Sequence, residues 1–354
     1  MPVNIYSPRF MIDVVESTPP LRTFLKDTFF RNSKTFPTEA VDFDVKKGGM
    51  AMAPFVHPRI GSTVLERQGF TTETYKPPLV APKRVLTTDD LDVRLPGEAL
   101  YNGYNANKRM TELLTDDLLE LDESITRREE WMCAHALFEG GIPVVGEGIN
   151  QYIDFGFENT IAVDVPWTDF ENSKPMEDLQ DAKKVVSRSG HTATIAIADE
   201  ETMWDLMRNE EVQKFLDIKN YNLGIIEPEV LENGATYIGY LRKCGLRLYS
   251  YGGEFADNDN INPAYPDVKP EDKGFVPAVY PLVPKGKVLV APARNFPAKM
   301  LYAVIKDLQI GNHMRPRVPK QWDQEEPSER YVKISSRPLP CPQNLDAYAV
   351  LDVV

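Results

Sequence analysis

Between residues 106 and 138 the chain has neither glycine nor proline, and no other stretch of its 354 residues constrains the fold as strongly. Met110, Leu114, Leu118, Leu121, Ile125 and Met132 fall on one face at helical spacing, widened by Leu113, Leu119, Trp131 and Phe138. Residues 106–139 carry nine acidic and four basic side chains. The pattern predicts an amphipathic helix of about 33 residues, roughly 50 Å long at 1.5 Å per residue, ended at Gly140-Gly141. A rod of that length outspans one ordinary domain core. Arg128 interrupts the apolar series, which argues against a coiled-coil dimer. The spacing fits a spine laid against a sheet.

The chain before this helix is of a different kind. Proline makes up 29 of 354 residues, about 8% against a typical 5%. Residues 47–98 hold prolines at 54, 58, 77, 78 and 82, which exclude a helix, and β character at 71–75 and 84–87. Such an excursion lacks an apolar face of its own and is expected to find its burial partner elsewhere, on a neighbouring subunit. Residues 1–46 read as an arm laid over other structure, with one short helix within 20–30. After the long helix come strand-like segments at 151–157 and 160–165. An α/β block follows: a helix over 175–189 closed by Gly190, a buried strand over 191–198, and Asp199 as N-cap of a helix running towards Phe215. Ala235–Leu241, Leu246–Tyr251 and Lys287–Ala291 read as strands, residues 252–275 as a polar acidic loop, and 347–354 as a closing apolar run.

Several function classes fail on inspection. Net charge is −13, which argues against a basic nucleic-acid-binding surface, and no apolar run approaches a membrane span. Cys133, Cys244 and Cys341 have neither metal spacing nor the pattern of a disulfide framework. Residues 281–288 end in Gly286-Lys287, but Pro281 and Val288 stand where a phosphate-binding loop needs Gly and Ser/Thr. The acidic run 257–260 has Asn262 and Val268 where a calcium loop needs Gly and Glu. His57, His135, His191 and His313 share no ligand spacing, and Cys133 and His135 point to different sides of a helix. Ser189-Gly190-His191 lacks a nucleophile elbow. Asp116, Asp117, Glu120, Asp122 and Glu123 read as the solvated face of the long helix. No catalytic, cofactor-binding or metal residue is assigned, and an α/β enzyme with its site in 175–300 is the weakest alternative.

The order of short strings along the whole chain carries more information. Phe29-Phe30 is followed by Phe36-Pro37-Thr38-Glu39-Ala40-Val41, then by Met50-Ala51-Met52-Ala53-Pro54-Phe55-Val56. Arg67-Gln68-Gly69-Phe70 and Tyr75-Lys76-Pro77-Pro78-Leu79-Val80-Ala81-Pro82-Lys83 come next, and Arg94-Leu95-Pro96-Gly97-Glu98 leads into the helix. Asp178-Leu179-Gln180-Asp181-Ala182, Leu248-Tyr249-Ser250-Tyr251-Gly252-Gly253-Glu254-Phe255 and Ser335-Ser336-Arg337-Pro338-Leu339-Pro340 continue the series. In order, spacing and coverage these strings resemble the lambda-type major capsid proteins (capsid protein E) of tailed bacteriophages.

The resemblance implies an α+β, Hong Kong 97-like capsid fold. Residues 1–46 would be the N-terminal arm, 47–98 an extended β loop and 99–174 a peripheral domain with the spine helix over 106–139. Residues 175–300 would form an α/β axial domain, and 301–354 would return to the peripheral domain. The implied function is structural, not enzymatic: self-assembly as hexamers and pentamers into an icosahedral head around double-stranded DNA. An encapsulin-like nanocompartment shell is the alternative. Expected partners are other copies of the chain, a separate scaffolding protein (no helical pre-segment is read before the arm), a portal, a decoration protein and non-specific contact with packaged DNA. No cofactor and no membrane is expected. The implied location is the virion capsid, assembled in the host bacterial cytoplasm. Subunit contacts are expected at Phe29 and Phe30 near the arm and at Arg59, Glu66, Arg67 and Phe70 in the loop.

Overall fold

The computed structural model describes residues 11–12, 15, 21–45, 71–92, 106–146, 149–217, 229–261, 277–308, 311–326 and 328–354. In it the long helix spans Ala106–Phe138, and its length has a cause in packing. Its middle buries Leu114, Leu118, Leu121 and Ile125 against Met11, Val332 and Ile334. Its C-terminal third buries Met132, Cys133, Ala136, Leu137 and Phe138 in a second, larger cluster with Phe29, Phe30, Met300, Leu339 and Tyr348. One rod therefore serves two separate cores. Gly140 ends it at φ +71°, and a Cβ there would lie 2.3 Å from Cβ of Phe157. Replacing Gly140 with Ala should cost about 2–5 kcal/mol, from left-handed backbone and overpacking together. Equilibrium urea unfolding of the unassembled subunit measures this.

The α/β block is built on a sheet with the order Glu229–Val230, Ala235–Leu241, Leu246–Tyr251, Ile195–Ala198, Lys287–Ala291, Ala349–Asp352, Thr160–Ala162. Leu246–Tyr251 with Ile195–Ala198, and Ala349–Asp352 with Thr160–Ala162, are parallel pairs; the other neighbours along this path are antiparallel. Both faces are buried, and the two-residue period sorts them. Ile195, Ile197, Leu289, Ala291 and Val350 enter the cluster shared with the long helix. Ala196, Ala198, Val288, Val290 and Leu351 enter a third cluster beneath helices Pro175–Arg188 and Glu200–Arg208. The chain's last strand lies between Lys287–Ala291 and Thr160–Ala162, inside the sheet rather than at its edge.

Two smaller sheets flank the long helix. Ser33–Thr35 runs parallel to Ala298–Tyr302, which pairs antiparallel with Pro338–Pro342. Val318–Gln324, Glu329–Ser335 and Lys83–Thr87 form an antiparallel three-stranded sheet. Thr71–Tyr75 pairs with Val41–Val45, so part of the 47–98 excursion is anchored on the arm.

Two expectations are corrected. The helix opened by Asp199 stops at Arg208, and a second begins at Glu210. Asn209 between them is extended at ψ 127°; its Oδ1 accepts the Glu211 N–H at 3.0 Å and its Nδ2 donates to the Ser173 carbonyl. A buried asparagine that caps one helix interrupts the run. Residues 252–275 are not all loop, since Glu254–Ile261 pairs antiparallel with Pro277–Pro281. That ribbon leaves Glu254, Ala256, Val279 and Tyr280 exposed, so no alternating hydrophobic signal marks it.

Candidate functional site: a buried charged junction beneath the arm

Where the long helix passes from one core to the other, its acidic side chains turn inward. Asp122, Thr126 and Glu129 fall on one helical stripe at i, i+4 and i+7. All three bind Arg317, which enters from the chain ahead of Val318–Gln324. Arg317 Nε donates to Asp122 Oδ1 at 2.5 Å, Nη2 to Thr126 Oγ1 at 3.2 Å, and the fork closes on Glu129 with Nη1–Oε1 at 2.6 Å and Nη2–Oε2 at 3.2 Å. Ser336 Oγ accepts a further bond from Nη1 at 3.3 Å. Lys26 of the arm completes the cluster, its Nζ 2.7 Å from Glu129 Oε2. The Glu129 side chain has no solvent exposure. Burial would push its carboxyl up, but Arg317 and Lys26 outweigh that and hold it below its ordinary value.

Glu130, one residue on, faces a different set of donors. Its Oε1 accepts the backbone N–H groups of Phe24 at 2.9 Å and Leu25 at 2.7 Å, and its Oε2 that of Lys26 at 2.9 Å. Tyr251 Oη adds a bond to Oε1 at 3.1 Å. These N–H groups begin the helix Leu25–Phe29, so a carboxylate from a residue 104 to 106 positions away caps the arm. Burial dominates here and pushes the Glu130 carboxyl above its ordinary value, against the pull of the three N–H donors. Around this cap Phe24 packs on Tyr249 and Tyr251, with ring centroids 5.6 and 5.2 Å away, and Phe29 meets Phe296 edge-on at 4.8 Å.

The junction thus ties three distant parts of the chain to one helix: the arm through Lys26 and its backbone, the closing strands through Arg317 and Ser336, and the main sheet through Tyr251. The thiol beside it, Cys133, is fully buried, and burial and the Glu130 carboxylate push it well up, so it is held unreactive and the arrangement acts as a clamp. Among the described residues no three His, Cys, Asp or Glu side chains are grouped to hold a metal ion. Gly286, of the loop weighed for phosphate, donates its N–H to Thr202 Oγ1 at 2.9 Å, and the Val354 side chain fills the space beside it.

Phe29 and Phe30 are each only 2% exposed, both packed within the chain's own core. Arg59, Glu66, Arg67 and Phe70 lie outside the described residues. Of the acidic residues read as a solvated face, Asp117 and Glu120 pair with Arg84, and Asp122 belongs to the junction. Glu129, Glu130 and Arg317 were not singled out from sequence. The available signal was the break in the apolar series at Arg128, which falls where the helix changes cores.

The family model for phage major capsid protein E matches residues 7–353. The major capsid protein of Enterobacteria phage phi80 is 25% identical over 338 residues, covering 90% of this chain and 91% of that protein. The major capsid protein of Escherichia phage lambda is 25% identical over 325 residues, 88% of each chain. Among solved structures, a prophage protein of Escherichia coli CFT073 assigned as a capsid protein superposes with a TM-score of 0.70 at 18% identity, covering 98% of both chains.

Proposed function

Because the chain belongs to the phage major capsid protein E family and has the α+β, Hong Kong 97-like capsid fold, it is a structural protein of the phage capsid shell and not an enzyme; we propose that hexamers and pentamers of it close an icosahedral head around double-stranded DNA. The observation that carries this is the match of the family model across residues 7–353, which spans all the described strands and helices. Among the described residues no helix is long and apolar enough to cross a membrane.

The same reading divides the labour along the chain. Residues 1–46 act as the arm, 47–98 as the extended loop, 99–174 and 301–354 as the peripheral domain around the long helix, and 175–300 as the axial domain. Arg59, Glu66, Arg67 and Phe70 make the loop's contacts with neighbouring subunits. Phe29 and Phe30, buried in their own chain, serve those contacts by seating the arm. A scaffolding protein, a portal and a decoration protein are the further partners. Assembly takes place in the host bacterial cytoplasm, and packaged DNA is met without sequence readout. A surplus of negative charge suits a wall along which the genome must slide without counterion-release binding.

Electron microscopy of the chain expressed alone, and together with scaffold and portal, tests the assignment. Closed or tubular lattices of hexamers are expected. A monodisperse particle of one subunit under every condition overturns it, and a protein cargo in place of DNA turns it towards a nanocompartment shell. Changing Arg67 to Ala should lower shell yield several-fold while leaving the subunit's thermal unfolding unchanged. Shells at normal yield remove Arg67 from the contacts.

A further inference from the structure

The three-stranded sheet Val318–Gln324, Glu329–Ser335, Lys83–Thr87 has one covered face and one open one. On the covered face Leu86, Val332 and Ile334 are buried towards the long helix, and Arg84 reaches Asp117 and Glu120. On the other face the register places Lys320, Lys333 and Lys83 directly across from one another, one from each strand. Like charges at opposed positions destabilise a sheet. The next row holds Trp322 and Tyr331, stacked with centroids 5.2 Å apart and planes at 3°. The lysines lean on these rings, with Lys83 Nζ 5.7 Å from the Tyr331 centroid and Lys333 Nζ 5.8 Å from that of Trp322. Lys320 is bound by Asp307 at 2.6 and 2.9 Å. Among the described residues Lys83 and Lys333 have no carboxylate partner.

Beside the lysine row is a concavity of about 60 Å³, lined by Lys306, Lys320, Lys333, Ser335 and Arg337 together with Asp307. Arg337 is the telling residue. Its Nε and Nη1 are buried and make no hydrogen bond among the described residues, and the closest carboxylate oxygen, Glu39 Oε1, is 3.8 Å from Nη1. Buried guanidinium donors are costly to leave unpaired. Five cations (Lys83, Lys306, Lys320, Lys333, Arg337) thus meet two carboxylates (Glu39, Asp307), in a chain whose overall balance is 53 acidic to 40 basic.

We infer that this basic concavity and the lysine row beside it receive an acidic segment from a neighbouring copy of the chain, with one carboxylate seated against Arg337. The inference rests on the capsid reading, since a shell brings copies together. The pocket's size suits a single carboxylate on a flexible side chain, and Arg337 supplies the forked donors that such a group takes bidentately. A duplex carries its phosphates on a stiff outer backbone, and the chain's net charge of −13 repels it. The same surplus means that every copy offers carboxylates to the next. A contact of this kind, basic on one subunit and acidic on the other, is heterologous and suits a ring.

Shells assembled without DNA from a mixture of normal and nitrogen-15-labelled chains, treated with a zero-length carbodiimide cross-linker, provide the test. Mass spectrometry should find Lys83 or Lys333 joined to an Asp or Glu of the other isotope. Lys83→Glu with Lys333→Glu should cut shell yield at least tenfold, with the subunit's circular dichroism unchanged, and Lys83→Arg with Lys333→Arg should retain it. Shells in which these lysines link only within one copy, or normal yield from the Glu variant, overturn the inference alone. Lysines unlinked in empty shells but protected from acetylation in DNA-filled heads overturn it in favour of nucleic acid. Failure of the unaltered chain to form shells under every condition overturns the capsid reading together with the inference.

Discussion

Replacing Arg317 with Ala should destabilise the subunit by about 3–5 kcal/mol, because it leaves the carboxylate of Glu129 buried with one of its two cations removed. The fork on Glu129, the bond to Asp122 and those to Thr126 and Ser336 all disappear together, and Lys26, at 2.7 Å, remains as the cation beside Glu129. The loss should also change with pH. In the unaltered chain Glu129 lies below its ordinary value when folded, so its contribution is present above the unfolded glutamate range and is lost as pH falls through the folded value. Without Arg317, burial prevails and the carboxyl rises. The variant's deficit should therefore be widest at neutral pH and narrow on acidification. Urea unfolding at a series of pH values measures both effects. Adding Glu129→Gln to the Ala variant should recover part of the loss at neutral pH; no recovery would show that packing around the guanidinium matters more than the charge.

A second large effect is expected at Glu130. Changing it to Ala removes the acceptor of three arm N–H groups and of Tyr251 Oη at once. Each buried donor left without a partner costs about 1–3 kcal/mol, so the arm should come away rather than stay docked and unsatisfied. Amide exchange at Phe24, Leu25 and Lys26 should rise by at least about tenfold, equivalent to 1.4 kcal/mol of opening free energy. The body of the long helix should keep its protection. Tyr251→Phe removes one of the four bonds and should give a much smaller rise. Exchange unchanged in the Ala variant would show that Phe24, Phe29 and Phe30 hold the arm by packing alone. Glu130 also carries the opposite pH sign to its neighbour. Its folded value lies above the ordinary one, so its contribution is present below the unfolded range and is lost as pH rises through the folded value.

Local order was written plainly in the sequence. The Gly- and Pro-free stretch fixed both ends of the long helix, Gly190 closed the helix Pro175–Arg188 at φ +82°, and the Asp199 side chain accepts N–H bonds from Glu201 and Thr202 as an N-cap should. The strands Ala235–Leu241, Leu246–Tyr251 and Lys287–Ala291 stand where alternation and turn residues placed them. What escaped was non-local. Whether Glu129 and Glu130 face water or a core depends on Arg317 and on an arm about a hundred residues earlier, and no window along the chain contains both. The same holds for the lysine row, whose members lie on strands separated by some 250 residues between Lys83 and Lys333 and become neighbours only through register. Asn209 was a third case, a polar residue whose capping role depended on the Ser173 carbonyl across the fold.

The main sheet draws its strands from far apart in the chain. Ala349–Asp352 pairs with Lys287–Ala291 on one side and with Thr160–Ala162 on the other, the second partner lying about 190 residues earlier. The chain must give up the freedom of that whole span before the pairing stabilises anything, so the sheet is slow to form. Until it closes, its strand edges stay open to other chains, and the time to a finished building block is set by this one long-range pairing.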